Sequence, residues 1–479
     1  MRCHPRRALQ YVLGIWLLCS GAFYYWTQIR PKSVSDYDNT EKLENPIAPL
    51  EDSSNDKQPH AKAAESQLRL VKPSARSAQD SELGKEPRDP SDDQGFALPK
   101  KAALVEATGP LIYPSLEHYS DDRIPQQMKF VAPSIRKKMQ QGEKVGVKKI
   151  CTYPFIGDWS IQESGGALFK KHQCAVQACE IVGDDSLAEA DVVLTKGSYL
   201  EPSKRPEGQV WALFLLESPY HTAELPDGRL GLFNWTATYR HDSTIVAPYE
   251  KYVPFNASVL SRPPAKNYAL GKTKKVAWFV SNCGAQNGRL QYARELAQHI
   301  QVDIYGGCGD LTCPRHEQSR CFQMLDTDYK FYLAFENSNC RDYITEKFFI
   351  NGLQHDVIPI VMGAHPDDYL RASPPNSFIH VDHFDSPKHL AAYLTKLDQD
   401  DRLFNQYFTW KGLWTNINTI FWCRVCQLAH DIEARGPSWF EDINKWWRGP
   451  GVCTNKHHWW PLNATQPVIG DIAVQPDNT

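Results

Sequence analysis

The sequence predicts an α/β protein: two doubly wound parallel units facing each other across a cleft, behind a membrane-spanning helix and a disordered stem. Three observations carry this expectation. Residues 8–29 are apolar and uncharged, a long polar stretch follows them, and beyond about residue 145 short apolar runs alternate with polar turns and helical spacings. Strands alternating with helices indicate parallel sheets, with ligands at the carboxyl ends of the strands.

The chain has 479 residues, room for roughly three folded units. Its 53 Lys and Arg stand against 56 Asp and Glu, a net charge of −3. That balance excludes a protein held on nucleic acid by bulk charge, and no nucleic-acid partner is expected. Hydrophobic residues make up 42%, which excludes a wholly disordered chain. Fourteen Trp suit either sugar stacking or core filling.

Taken in order, residues 1–7 carry Arg2, Arg6 and Arg7 and read as a cytoplasmic tail. The 22 residues from 8 to 29 would span about 33 Å as a helix, the thickness of a bilayer core. A cleaved signal peptide is the competing reading, but the run is long and no small-x-small site follows. Basic residues before the span place the rest of the chain in the lumen, giving a type II topology. Eleven Cys beyond the span suit an oxidising lumen, and sequons stand at Asn234, Asn256 and Asn463. Residues 30–145 read as a largely disordered stem, since Tyr37 and Phe96 are the only aromatics from Lys32 to Pro110.

Residues 146–270 form a first domain, with apolar runs at 149–153, 191–194 and 210–216. Residues 271–430 form a second. Its expected strands lie at 276–281, 302–305, 331–335, 357–362 and 378–381, with helices at 289–300, 345–353 and 386–397. Residues 431–479 are a C-terminal extension.

The densest polar constellation is FYLAFENSNCRDYITEKFF, residues 331–349. A strand runs into Glu336, Asn337 and Ser338, and a helix opens near Thr345, a plausible N-cap. Lys347 falls in that first turn, where a cation opposes the helix dipole. It reads either as a contact for an anion such as phosphate or as a solvated lysine. Arg289, after the loop SNCGAQNG, suits a second phosphate contact or a helix surface. Asp326-Thr327-Asp328 has the form of a metal-carrying D-x-D but lies before a strand, where a solvated turn is favoured.

These segments are recognisable. FYLAFENSNCRDYITEKFFINGLQHDVIPIVMGA (331–364) resembles the signature of the α1,3-fucosyltransferases. LLESPYHT (215–222) and FNWTATYRHDSTIVAPY (233–249) are similar to first-domain segments of that family. The resemblance implies a GT-B fold and an inverting transfer from GDP-β-L-fucose, with no cofactor required and a divalent metal at most stimulatory. It implies Glu217 as general base and places Asn337, Tyr343, Glu346 and Lys347 around the donor. Arg289 and Lys347 would neutralise the pyrophosphate. It also pairs Cys423 and Cys426 with Cys174 and Cys179. Cys308 is expected to bridge locally to Cys313 or Cys321.

WWRGPGVCT (446–454) resembles family members that act on the N-glycan core. The expected partners are therefore GDP-fucose, N-glycoprotein acceptors and the Golgi membrane, the last through one transmembrane helix. A core transferase needs aromatic faces for sugars, and the candidates are Trp159, Trp211, Trp235 and Tyr239, then Trp439, Trp446, Trp447, Trp459 and Trp460. The alternatives are fucosylation of outer LacNAc or LacdiNAc antennae, or an inactive glycan-binding protein of the same fold.

Overall fold

The computed structural model describes residues 111, 113, 122–153, 165–196, 200–226, 231–436, 438–455 and 458–459. The expected cytoplasmic tail, spanning helix and most of the stem lie outside them, as do Asn463, Trp159 and Trp460. Among the described residues no helix is long and apolar enough to cross a membrane.

Strands β1 (Lys148–Thr152), β2 (Cys179–Val182), β3 (Val192–Thr195), β4 (Val210–Leu215), β5 (Trp235–Thr238) and β6 (Ile245–Val246) form one sheet. Its order is β2-β1-β3-β4-β5-β6 and every pairing is parallel. Both faces are covered, so β3 and β4 are buried throughout and read as unbroken apolar runs. Alternate side chains enter different cores: Val192, Leu194, Ala212 and Phe214 on one face, Val193, Trp211 and Leu213 on the other.

After β7 (Tyr252–Pro254) come β8 (Lys274–Phe279), β9 (Val302–Tyr305), β10 (Tyr329–Phe335), β11 (Asn339–Cys340), β12 (Ile358–Met362) and β13 (Ile379–His380). The second sheet runs β13-β12-β10-β8-β9, again all parallel. Strand order reverses between β8 and β10, which opens a crevice at their carboxyl ends. Two short antiparallel pairs complete the strands: β7 with β14 (Trp414–Asn416), and β11 with β15 (Cys453–Thr454).

Two boundaries differ from expectation. The stem was expected to reach residue 145, yet Ile124–Lys129 and Pro133–Gln140 are helices, each with a proline in its first turn. The second docks through Ile135, beside Ala132, but the first is held largely by polar contacts, which composition hides. Gln127 is fully buried, donating to the carbonyls of Tyr113 (2.7 Å) and Thr244 (3.0 Å) and accepting from Arg424 (3.0 Å).

The second domain was expected to run to residue 430, but its last helix, Phe421–Ala429, packs into the first sheet's core. Two disulfides fix it there, Cys174–Cys423 and Cys179–Cys426. Whichever forms first closes a loop of about 250 residues, stabilising by about 5 kcal/mol in the chain-entropy view, and the other then closes only a short ring beside it. The extension then covers the sheet's other face, where Phe440, Ile443 and Trp447 join Trp211, Phe233 and Tyr239.

Cys308 pairs with Cys283, and Cys313 with Cys321, so the expected Cys308–Cys313 or Cys308–Cys321 bridge is corrected. The loops after neighbouring strands β8 and β9 lie side by side, bringing the Cys283 and Cys308 Cα atoms within 5.4 Å. A further bridge joins Cys340 to Cys453. Cys151 is the free cysteine among the described residues, and burial pushes its thiol up to about 12.

Gln127→Ala removes donors from the Tyr113 and Thr244 carbonyls and an acceptor from Arg424, and should lower unfolding free energy by about 1–3 kcal/mol in urea titrations. Lys138→Ala, on the exposed face of the neighbouring helix, should leave the midpoint in place.

Candidate active site

All seven residues of β10 are buried, and the chain carries that burial into Glu336, which has no exposed surface. Its carboxylate accepts from the Thr345 amide (2.8 Å) and hydroxyl (2.9 Å) and pairs with Lys347 Nζ (3.1 Å). Burial raises its pKa above the usual carboxylate value, against the opposing pull of Lys347. Gly363, at φ +151°, lets the end of β12 pass beside it; a Cβ there would meet Glu336 Cγ at 2.6 Å.

Lys347 also donates to Thr345 Oγ1 (2.9 Å) and Glu346 Oε1 (3.0 Å). Burial works against its charge, but Glu336 and Glu346 outweigh that cost and hold its pKa above the usual lysine value. Glu346 titrates low for the reciprocal reason, since Lys347 overcomes its own desolvation.

The expected helix at 345–353 is shorter. Thr345 caps a single α turn, Glu346–Phe348, its hydroxyl accepting from Lys347 N (3.4 Å), and a π turn follows at Phe349–Leu353. One turn supports little dipole. The anions beside Lys347 are the protein's own carboxylates.

Glu217 follows β4 at its carboxyl end and is exposed. Three donors converge on its Oε1: the Tyr343 phenol, Asn337 Nδ2 (3.3 Å) and the Ser218 amide (3.1 Å). Ser218 and Ser338 share a buried hydroxyl bond (2.7 Å), and Ser338 donates to Asn337 Oδ1 (3.0 Å). Burial first, then Glu336 and Glu217, keep the Tyr343 phenol well above its usual pKa, so it stays a donor. Tyr249 ties in the preceding residue through Leu216 O (2.8 Å). The fold thus brings together Glu217, Asn337, Tyr343, Glu346 and Lys347.

Arg289 sits apart in character. It opens the helix Arg289–Leu296, is 4% exposed, and donates to Phe335 O (2.8 Å) and Asn282 O (3.0 Å). It therefore stitches the ends of β8 and β10 at the crevice, while its buried Nε has no hydrogen-bond partner.

Asp326 and Asp328 diverge: Asp326 bonds His355 (3.0 Å) and the Asp356 amide (2.8 Å), and Asp328 faces Lys274 (3.8 Å). Cys179, Cys426 and His430 cluster at metal-like distances, but the two sulfurs are bonded to each other.

The Asn234 side chain donates to Ser438 O (2.8 Å) and accepts from Trp211 N (2.9 Å), so the folded protein does not present this sequon. Asn256 is exposed. Trp211, Trp235, Tyr239 and Trp447 are each under 5% exposed and fill cores, so they offer no face to a sugar, whereas Trp439 is 38% exposed. Sequence reasoning missed Glu336 as a partner of Lys347. The available signal was a carboxylate ending an unbroken apolar run.

Lys347→Met should cost about 3–5 kcal/mol by leaving the Glu336 carboxylate buried without its cation. Glu336→Gln combined with Lys347→Met should recover most of that loss in thermal melts.

Residues 154–250 match the family described as "Fucosyltransferase, N-terminal", and residues 269–446 match "Glycosyltransferase family 10 (fucosyltransferase) C-term". The chain is 50% identical over 369 residues to glycoprotein 3-alpha-L-fucosyltransferase A of Drosophila melanogaster, covering 76% of this chain and 71% of that one. It is 36% identical to alpha-(1,3)-fucosyltransferase C of the same organism, over 57% of this chain and 70% of the relative. A human 4-galactosyl-N-acetylglucosaminide 3-alpha-L-fucosyltransferase is 40% identical over 49% of this chain and 62% of its own. A crystal structure of an alpha1,3-fucosyltransferase aligns over 65% of this chain and 97% of its own, at 17% identity and TM-score 0.40.

Proposed function

The chain belongs to the fucosyltransferases of glycosyltransferase family 10, and we propose that it transfers L-fucose from GDP-β-L-fucose to O3 of the innermost Asn-linked GlcNAc of N-glycans. The observation that carries the chemistry is Glu217, an exposed carboxylate at the carboxyl end of β4, fixed by Tyr343 and Asn337. An inverting transfer is one displacement. The acceptor hydroxyl attacks the fucose anomeric carbon, the bond to GDP breaks, and a carboxylate takes the hydroxyl proton. With three donors on Oε1, Oε2 is the oxygen for that proton.

Lys347 faces the departing diphosphate, exchanging its Glu346 contact for a phosphate oxygen, while Arg289, bonded to Phe335 O and Asn282 O, holds the crevice around it. A cation in this role makes a bound metal unnecessary, in keeping with Asp326 and Asp328 being engaged elsewhere. The Golgi location and type II topology rest on residues 1–29.

The core acceptor is supported by the 50% identical relative, whose name specifies a glycoprotein, and by the WWRGPGVCT extension. The human relative's name favours an antennal GlcNAc instead. Incubation with an N-glycopeptide and with free LacNAc separates the two readings: linkage mass spectrometry should place fucose on the chitobiose core, and label on LacNAc alone would overturn this assignment. Glu217→Gln should lower turnover by roughly 10²–10⁴ while GDP-fucose binding persists. Activity should survive EDTA; complete loss restored by Mn²⁺ would return Asp326 and Asp328 as ligands.

A further inference from the structure

The segment after Glu217 has no strand of its own. Apart from one 3₁₀ turn, Pro219–His221, residues 218–226 lie outside regular structure, and the extension supplies much of their anchoring. Arg448 forks onto this segment, one arm to Pro219 O and the other to Thr222 O (2.6 Å) and Thr222 Oγ1 (3.0 Å). Trp447 Nε1 donates to the same hydroxyl (2.9 Å). Asn444 clamps Leu225 from both sides, accepting from its amide (3.1 Å) and donating to its carbonyl (2.7 Å).

Asn444, Trp447 and Arg448 lie on one short helix, Ile443–Arg448, which also reaches the segment that carries Tyr343. Trp447 packs on Tyr239 at 5.5 Å between ring centroids, and Tyr239 packs on Tyr343 at 5.1 Å. Just downstream, Cys453 is bonded to Cys340 and the Val452 carbonyl receives the Arg341 amide (2.8 Å). One stretch of chain, 444–453, therefore holds both sides of the Glu217–Tyr343 hydrogen bond.

We infer that Arg448, with Trp447 and Asn444 beside it, is a positioning residue for Glu217. It fixes the loop downstream of the carboxylate while Tyr343 fixes the carboxylate itself. The inference rests on Glu217 being the general base. The guanidinium is suited to the task because its planar fork reaches two carbonyls and a hydroxyl at once, which an ammonium on a flexible stem does less well. Loosening the loop shifts the carboxylate relative to the acceptor hydroxyl, and shifts of about 1 Å cost rates up to about 100-fold. Donor binding, built from the second sheet, is left in place.

The test compares Arg448→Ala, Arg448→Lys and Glu217→Gln in the full chain, measuring kcat, the GDP-fucose KM and the melting midpoint. Arg448→Ala should lower kcat roughly 10- to 100-fold, with the donor KM within about twofold. Arg448→Lys should recover part of that loss, since a lysine still donates to one carbonyl. A lower midpoint with unchanged kcat per folded molecule would make Arg448 a brace for stability alone and overturn the inference. If Arg448→Ala does not fold, Asn444→Ala is read by the same criteria. Normal turnover in Glu217→Gln would remove the general base and the inference with it. Loss in Glu217→Gln beside an unaffected Arg448→Ala would overturn only the positioning role.

Discussion

A carboxylate without solvent exposure ends the central strand of the second sheet, and its neighbourhood is organised around keeping it charged. An isolated buried carboxylate costs several kcal/mol, so Glu336 must be surrounded by donors. Thr345 gives both its amide and hydroxyl, Lys347 gives its ammonium, and Gly363 gives up a side chain to make room. Fixing Thr345 also fixes the reversal before it. Asp342 turns the chain at φ +60°, held by Arg371 and by the His241 amide (3.0 Å), and so aims Tyr343 at Glu217. The requirement to satisfy one buried charge is thus transmitted to an exposed carboxylate on the other sheet.

Much of this was legible in the sequence because parallel sheets bury both faces. β4, β12 and residues 331–335 of β10 stand out as unbroken apolar runs, and Thr345 caps its turn as read. What stayed hidden depends on contacts far apart in sequence. The helix Ile124–Lys129 docks through Gln127 and the adjoining Arg123, and no apolar count registers a buried amide or guanidinium. The π turn at 349–353 brings Gly352 against Pro359 of β12, where a Cβ would lie 2.9 Å from the proline ring, a contact no local pattern shows.

The candidate site divides the same way. Glu217, Asn337 and Tyr343 are reached through the motif resemblance, and the fold brings them within hydrogen-bonding distance. Lys347 reads in the sequence either as an anion contact or as a solvated lysine, and its pairing with Glu336 stayed hidden because the eleven-residue spacing lies beyond any helical or strand register. Arg289 looked like a surface phosphate contact, but Gly288 at φ +72° turns the chain so that the guanidinium points inward to the ends of β8 and β10.

The return of Phe421–Ala429 to the first sheet's core constrains how such proteins can recombine. A swap of residues 271–430 between two relatives would carry a foreign helix, with Cys423 and Cys426, into the first sheet of the other parent. A crossover near residue 418, in the link after β14, would instead leave each parent's helix with the core it grew up against. The two halves can then diverge separately only if the last helix is inherited with the first half, so the heritable unit is discontinuous in the gene although it is contiguous in space.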